Sequence, residues 1–108
     1  WSDALINNAG GDASVIVATA GVEPILVDGE IDPHAWNALT NGVIYVENIA
    51  AAMAAADAGN ADAYKANAAS YTANLRALHA GATDRFGSLP EDGRTVVTAH
   101  DAFGDTHY

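Results

Sequence analysis

The sequence predicts an α/β fold, and three features indicate it. Residues 15–18 (Val-Ile-Val-Ala) and 95–98 (Thr-Val-Val-Thr) are short, mostly apolar runs of strand length. Such runs are typical of strands that are covered on both faces in a parallel sheet. Between them lie two long segments, at about 40–57 and 60–86, whose apolar residues recur at helical spacing. We therefore expect helices packed against parallel strands.

The first predicted element is a short helix over about residues 2–8, with Leu5 and Ile6 facing inward. Ser2 is its candidate N-cap, because a serine hydroxyl can accept a hydrogen bond from a free backbone N–H of the first turn. Gly10-Gly11 ends the helix, since glycine tolerates the left-handed conformation at a helix C-terminus.

A long connection over residues 21–42 follows the first predicted strand, and it contains an extended piece at 25–27. Within it, Asp32 is a candidate N-cap and Pro33 a candidate first helical residue. We expect these two residues to start a single helical turn that presents His34.

The first long helix is predicted to begin at Thr40 or Asn41 and to end near Asp57, where the sequence Ala-Gly-Asn at 58–60 breaks it. Its inward face is expected to be an apolar stripe with helical spacing. The stripe consists of Val43, Val46, Ile49, Ala50 and Met53.

Asn60 is expected to cap a second helix that runs to about Phe86. Its heptad-like face consists of Tyr64, Ala68, Tyr71, Leu75, Leu78 and Ala82. At 1.5 Å per residue this helix is roughly 35–40 Å long, more than a small domain needs. Such a length favours a strut between two bodies. A turn at 89–93 then leads to the second predicted strand.

Composition excludes several classes of function. The chain has 108 residues and a net charge of −10, with four Lys and Arg against fourteen Asp and Glu. This balance argues against nucleic-acid binding, which depends on neutralising phosphates. No cysteine is present, so disulfides and thiolate ligands are excluded. Much of the apolar content is alanine and only 7% of residues are aromatic, so we expect a thin core and a fragment of a larger protein.

The histidines carry the candidate chemistry. His34 lies on the predicted helical turn, and His100 lies just beyond the carboxyl end of a predicted strand, where open α/β sheets bind ligands. Imidazole is a strong ligand for zinc, so both are candidate metal ligands. A surface or hydrogen-bonded structural role is about as common for either. Asp101 is a possible partner that orients His100. His79 is expected at the rim of a helix face, and nothing supports a role for His107.

Two motifs resemble those of the zinc- and manganese-binding solute receptors of bacterial ABC transporters. The first is Asp32-Pro33-His34-Ala35-Trp36, which matches the family's Asp-Pro-His-x-Trp. The second is Thr98-Ala99-His100-Asp101-Ala102-Phe103-Gly104, which matches Ser/Thr-x-His-Asp-Ala-Phe-Gly. The first eleven residues with the predicted strand at 15–18, and the helix starting at Asn60, are similar to further family segments in the same order. The resemblance covers nearly the whole chain.

The resemblance implies a two-lobe periplasmic receptor fold with parallel sheets and a long connecting helix, only partly represented here. Residues 1–58 would form the C-terminal part of the first lobe, 59–88 the connecting helix, and 89–108 the start of the second lobe. His34 and His100 would be two of four metal ligands, and the other two would lie outside this chain. Histidine at position 100 is typical of zinc members, whereas many manganese members carry glutamate there.

The resemblance further implies a periplasmic or lipid-anchored receptor that delivers Zn²⁺ to an ABC transporter permease, and not an enzyme. A manganese or iron receptor of the same fold is the first alternative. A zinc-dependent hydrolase is the second, with Glu30 or Asp101 as the general base. The third is an α/β interaction domain whose histidines are structural.

Overall fold

A computed structural model describes residues 2–11, 13–100 and 102–103. Three helices dominate this part of the chain, α1 (Ser2–Ala9), α2 (Leu39–Ala56) and α3 (Ala61–Gly87). A small antiparallel hairpin of β1 (Leu26–Val27) and β2 (Glu30–Ile31) precedes α2. Short 3₁₀ turns occupy Ala35–Asn37, Ala58–Asn60 and Glu91–Arg94.

The expected parallel strands are absent from the described residues, where the hairpin is the one sheet. Residues 15–17 and 95–98 have no regular secondary structure, and Val17, Val96 and Val97 are 66%, 76% and 92% exposed. The predictions of strands at 15–18 and 95–98 are wrong for this structure. A strand forms only where a neighbouring strand pairs with its N–H and C=O groups, and neither run lies beside one here.

The helices agree more closely with the sequence predictions. α1 ends at Ala9, and Gly10 follows with a φ of 68°, as a glycine C-terminus requires. The side chain of Ser2 is outside the described part, so its capping role stays a prediction. Leu5 and Ile6 are 64% and 41% exposed, so the expectation that they face inward is wrong. The helix packs too little against the other elements to cover them.

The pair of α2 and α3 forms the body of the structure. On α2, Val43 and Ala50 are buried as predicted, whereas Ile49 and Met53 are 43% and 45% exposed. These two side chains line an open groove between the helices instead of a closed core. The break at Ala58–Asn60 separates the two helices as expected.

The buried face of α3 departs from the predicted heptad. Thr72 is 3% exposed, while Tyr71 and Leu78 are 56% and 60% exposed. The least exposed positions of the helix are instead Ala61, Tyr64, Ala68, Thr72, Leu75, His79 and Ala82. This face has Thr72 and His79 one position later than the predicted Tyr71 and Leu78, and it keeps the other predicted positions. His79 is half-buried and lines an open groove together with Leu39 and Val43 of α2.

The core is thin, as the alanine-rich composition predicts. The buried apolar side chains of the described residues are Ala38, Val43, Ala50 and Ala102, and no large side chain is fully buried. The radius of gyration is 17.6 Å, whereas a compact domain of this length has a value of about 13 Å. The fold is therefore an elongated helical pair with attached loops.

Asp57 connects the end of α2 to α3 by accepting hydrogen bonds from Asn60 Nδ2 at 2.8 Å and from the Tyr64 hydroxyl at 2.9 Å. These bonds, that from Asn60 first, hold the pKa of Asp57 below its usual value of 3.8. The bond to Asp57 also raises the pKa of Tyr64. A carboxylate whose pKa is lower in the folded than in the unfolded state stabilises the fold at pH values above the unfolded pKa. This stabilisation is lost as the pH falls through the folded pKa.

We therefore expect Asp57→Ala to lower the melting temperature of the intact protein at neutral pH. The difference from the native protein should shrink as the pH falls below about 3.8, because native Asp57 is then increasingly protonated. Thermal unfolding monitored by circular dichroism across this range measures it, with Asp84→Ala on the exposed side of α3 as the control. A difference that does not change with pH would contradict the role assigned to Asp57.

Candidate metal centre

The hairpin fixes the start of the first histidine motif. β1 and β2 pair in the register Leu26 with Ile31 and Val27 with Glu30. Asp28 and Gly29 form the turn with φ values of 53° and 85°, which suits the Asp-Gly sequence. One further backbone bond runs from Asp32 N to Ile25 O at 2.8 Å. The backbone of Asp32 is therefore held by the hairpin.

His34 is held close to Asp32. The carboxylate oxygen Asp32 Oδ1 accepts the backbone N–H of His34 at 2.9 Å and also lies 2.6 Å from His34 Nδ1. The side chains of His34 and Asp32 are 19% and 10% exposed. On the other side of the motif, the ring of Trp36 meets the ring of His34 edge-on, with centroids 5.4 Å apart. The imidazole is thus restrained by two neighbours.

The predicted helical turn begins later than expected. Asp32 and Pro33 lie outside it, and the 3₁₀ turn covers Ala35–Asn37 with His34 at the N-cap position. The predicted capping role of Asp32 is therefore wrong, and its carboxylate instead accepts the N–H two residues later in an Asx turn that precedes the helical turn. Asn41 of α2 donates to Ala35 O at 2.9 Å and holds this turn against the helix.

The structure brings the two predicted site histidines together. The ring centroids of His34 and His100 lie 5.3 Å apart, with an angle of 55° between the ring planes. His100 follows a loop in place of the expected strand, and its side chain is exposed. The hydroxyl of Thr98 donates to the carbonyl of His100 at 2.8 Å and shapes the backbone there.

A second contact joins the same two segments. Asn37 Nδ2 donates to the carbonyl oxygen of Ala102 at 2.7 Å. Ala102 is 7% exposed, so this carbonyl belongs to a residue largely shielded from water. The contact connects the turn after His34 with the segment that carries His100. It lies between residues 65 positions apart, and local sequence patterns contain no signal for such a pair.

Two further candidates, His79 and Glu30, are not part of this cluster. His79 lies on α3 beside α2, which agrees with the prediction of a rim position. Glu30 is exposed on β2. Asp101 and His107 are outside the described residues, so the orienting role of Asp101 stays a prediction. Within residues 2–11, 13–100 and 102–103, no three His, Cys, Asp or Glu side chains are grouped to hold a metal ion. The described cluster contributes two imidazoles.

Asp32 was predicted as a helix cap, but its contact with the His34 ring was missed. An aspartate two residues before a histidine is the available signal, because a short carboxylate commonly reaches the backbone two residues on. Whether the same oxygen also meets the ring depends on the side-chain rotamer, and sequence spacing does not determine that.

Comparison with known proteins identifies the family. The profile of ZnuA, zinc-uptake complex component A, periplasmic, matches residues 1–106. The chain is 36% identical over 110 residues to the metal ABC transporter substrate-binding lipoprotein FimA of Streptococcus parasanguinis. The matched region covers 95% of this chain and 36% of the relative. The manganese ABC transporter substrate-binding lipoprotein PsaA of Streptococcus pneumoniae gives the same figures.

The iron-binding protein YfeA of Yersinia pestis is 35% identical over 97 residues, or 85% of this chain and 31% of the relative. The chain thus spans about a third of the length of the curated relatives that it matches.

The family is one of extracytoplasmic receptors for metal transport. The family description gives a periplasmic location, and two of these relatives are named as substrate-binding lipoproteins. No helix in the described part of the chain combines the length and hydropathy that crossing a membrane needs. From the match over residues 1–106 and these relatives, the chain belongs to the zinc-uptake complex component A family of metal-binding receptors of ABC transporters.

Proposed function

We propose that this chain is part of a periplasmic or lipid-anchored receptor that binds Zn²⁺ and delivers it to an ABC transporter permease. The observation that carries the proposal is the contact between the His34 and His100 rings, whose centroids are 5.3 Å apart. The two histidines come from distant segments, and each lies in a motif that resembles a ligand motif of the family. In this proposal zinc is cargo, and the protein performs no chemical step on it.

The ring separation is compatible with a shared ion. Zinc binds imidazole nitrogen at about 2.0–2.1 Å with tetrahedral angles, and this geometry places the centroids of two imidazole ligands roughly 5 Å apart. The observed 5.3 Å agrees with this spacing. The remaining ligands of a four-coordinate site would come from parts of the receptor outside this chain. We infer that His34 and His100 supply two of the four.

The lobe assignment is part of the same proposal. Residues 1–58 would belong to the first lobe, 59–88 to the connecting helix and 89–108 to the start of the second lobe. The 27-residue length of α3 supports the connecting role, since it corresponds to a helix about 40 Å long. His34 and His100 would then approach the ion from opposite lobes. The hydrogen bond from the Asn37 amide to the Ala102 carbonyl would join the same two lobes.

Zinc is the proposed metal because two nitrogen ligands suit it better than manganese, which prefers oxygen ligands. The family description names zinc, whereas the relatives named above include a manganese receptor and an iron-binding protein. A manganese or iron receptor is therefore the second candidate. A hydrolase has less support, because the family consists of transport receptors and Glu30 is exposed on β2.

The metal preference can be tested with the complete receptor and the variant His100→Glu. We expect the native protein to bind zinc far more tightly than manganese, and we expect the substitution to lower the ratio of the two affinities because carboxylate oxygen favours manganese. Competition titration with a chelating indicator measures both affinities. The control is His79→Gln on α3.

Retention of manganese in preference to zinc by the native receptor, from a mixture of equal concentrations, would support the manganese alternative. A ratio unchanged by His100→Glu would show that position 100 does not set the preference. Hydrolysis of a generic ester that depends on added zinc would favour the enzyme alternative.

A further inference from the structure

The contact between Asp32 and the His34 ring contains information about the protonation of that ring. His34 Nδ1 lies 2.6 Å from Asp32 Oδ1, and the same oxygen accepts the His34 backbone N–H at 2.9 Å. An ionised carboxylate only accepts hydrogen bonds, so the nitrogen that faces it must carry the hydrogen. In the neutral ring the other nitrogen, Nε2, then has the free lone pair.

From this geometry we infer that Asp32 is a positioning residue that holds His34 as the Nδ1–H tautomer and so presents Nε2 to the metal. The inference rests on the proposed function, because it assigns a role to Asp32 at that same site. A metal-binding histidine needs a deprotonated nitrogen directed at the ion, and a bond from its other nitrogen fixes both tautomer and ring orientation.

The surroundings of Asp32 make it a firm support. Its backbone N–H is bonded to Ile25 O at 2.8 Å, which continues the pairing of the hairpin. Its side chain is 10% exposed, so water competes little for the oxygen that His34 uses. The edge of the Trp36 ring, 5.4 Å away between centroids, further limits rotation of the imidazole. The carboxylate and the indole therefore restrict the ring together.

The role of Asp32 differs from that of a metal ligand. Its Oδ1 is engaged by the backbone N–H and by Nδ1 of His34, and the carboxylate acts on the ion through the ring. Loss of such a supporting group typically lowers metal affinity about 10–100-fold, whereas loss of a direct ligand has a larger effect. A substitution at Asp32 should therefore give an intermediate loss.

The test uses the complete receptor free of metal, at a pH above the ordinary histidine pKa of about 6.5. Nitrogen-15 NMR of the imidazoles reports which ring nitrogen carries the hydrogen. We expect His34 to be protonated at Nδ1 in the native protein and to become a mixture of tautomers in Asp32→Ala. In Asp32→Asn the amide oxygen can still accept both bonds, so we expect this variant to resemble the native protein more closely.

Zinc affinity is then measured for the same proteins, with Glu30→Gln as the control for loss of a nearby exposed carboxylate. We expect Asp32→Ala to bind zinc about 10–100-fold more weakly and Glu30→Gln to bind it as the native protein does. A native His34 that is protonated at Nε2 would overturn the inference. So would an unchanged tautomer or an unchanged zinc affinity in Asp32→Ala.

The two readouts separate this inference from the proposed function. The tautomer is measured without metal, so it is decided even if the native receptor binds no zinc. A native receptor that has the expected tautomer but binds no zinc would contradict the proposed function and with it the assigned role of Nε2. A receptor that binds zinc but keeps its tautomer in Asp32→Ala would contradict only the role of Asp32.

Discussion

We expect the double substitution His34→Ala/His100→Ala to lower the zinc affinity of the complete receptor by roughly 10⁴-fold. Four-ligand zinc sites in proteins are worth about 10–16 kcal/mol, so two ligands correspond to about 5 kcal/mol or more. The two rings, 5.3 Å apart between centroids, are the donors that we propose this chain supplies. Isothermal titration with a competing chelator measures the loss.

A matched control is available in His79→Ala. This substitution also replaces a histidine by alanine, but His79 lies between α2 and α3 and is not part of the cluster. We expect its zinc affinity to equal that of the native receptor, and we expect its stability to fall through lost packing. The structural alternative for His34 and His100 makes the opposite prediction, that the double variant changes the melting temperature and leaves metal content unchanged.

The second large effect is expected at Asn37. Its amide donates to the carbonyl of Ala102 at 2.7 Å and so joins the segments that carry His34 and His100. In Asn37→Ala this shielded carbonyl loses its partner, at a cost of about 1–3 kcal/mol. Because zinc must then hold the two segments together without this bond, we expect its affinity to fall by about tenfold or more.

Asn41→Ala provides the comparison for Asn37. Asn41 also donates to a backbone carbonyl, that of Ala35, but the bond remains within the turn and helix that follow His34. We expect Asn41→Ala to lower thermal stability with a smaller change in zinc affinity. Chelator competition and thermal unfolding of both variants measure the two effects. Equal zinc affinities in Asn37→Ala and the native receptor would show that the contact with Ala102 does not support the site.

The helices could be predicted because their signals are local. The glycine pair after α1 and the Ala-Gly-Asn sequence between α2 and α3 end helices where the structure ends them. The face of α3 was predicted less well, because neighbouring positions such as 71 and 72 lie only about 100° apart around a helix, and periodicity alone does not choose between them. The structure accordingly buries Thr72 in place of Tyr71.

The strands could not be predicted in the same way, because a parallel strand depends on partners that are distant in the sequence. Val96 and Val97 have strand composition but lie exposed without a neighbouring strand in the described part of the chain. The hairpin at Asp28-Gly29 has a local signal, the Asp-Gly turn, which the prediction of an extended piece at 25–27 did not use.

The site could be predicted in part. The positions of His34 and His100 at the ends of elements, together with the family motifs, selected two residues that the structure places in contact. The supporting contacts of Asp32 and Asn37 were not predicted as parts of the site. One depends on a rotamer and the other on the approach of distant segments, and neither is determined by local spacing.

The most direct test of the account is a crystal structure of the zinc-loaded complete receptor, with anomalous diffraction measured on both sides of the zinc absorption edge. We predict a single strong anomalous peak about 2.0–2.1 Å from a ring nitrogen of both His34 and His100. A zinc peak bound elsewhere, with neither histidine within bonding distance, would contradict the central claim that these two residues hold the ion.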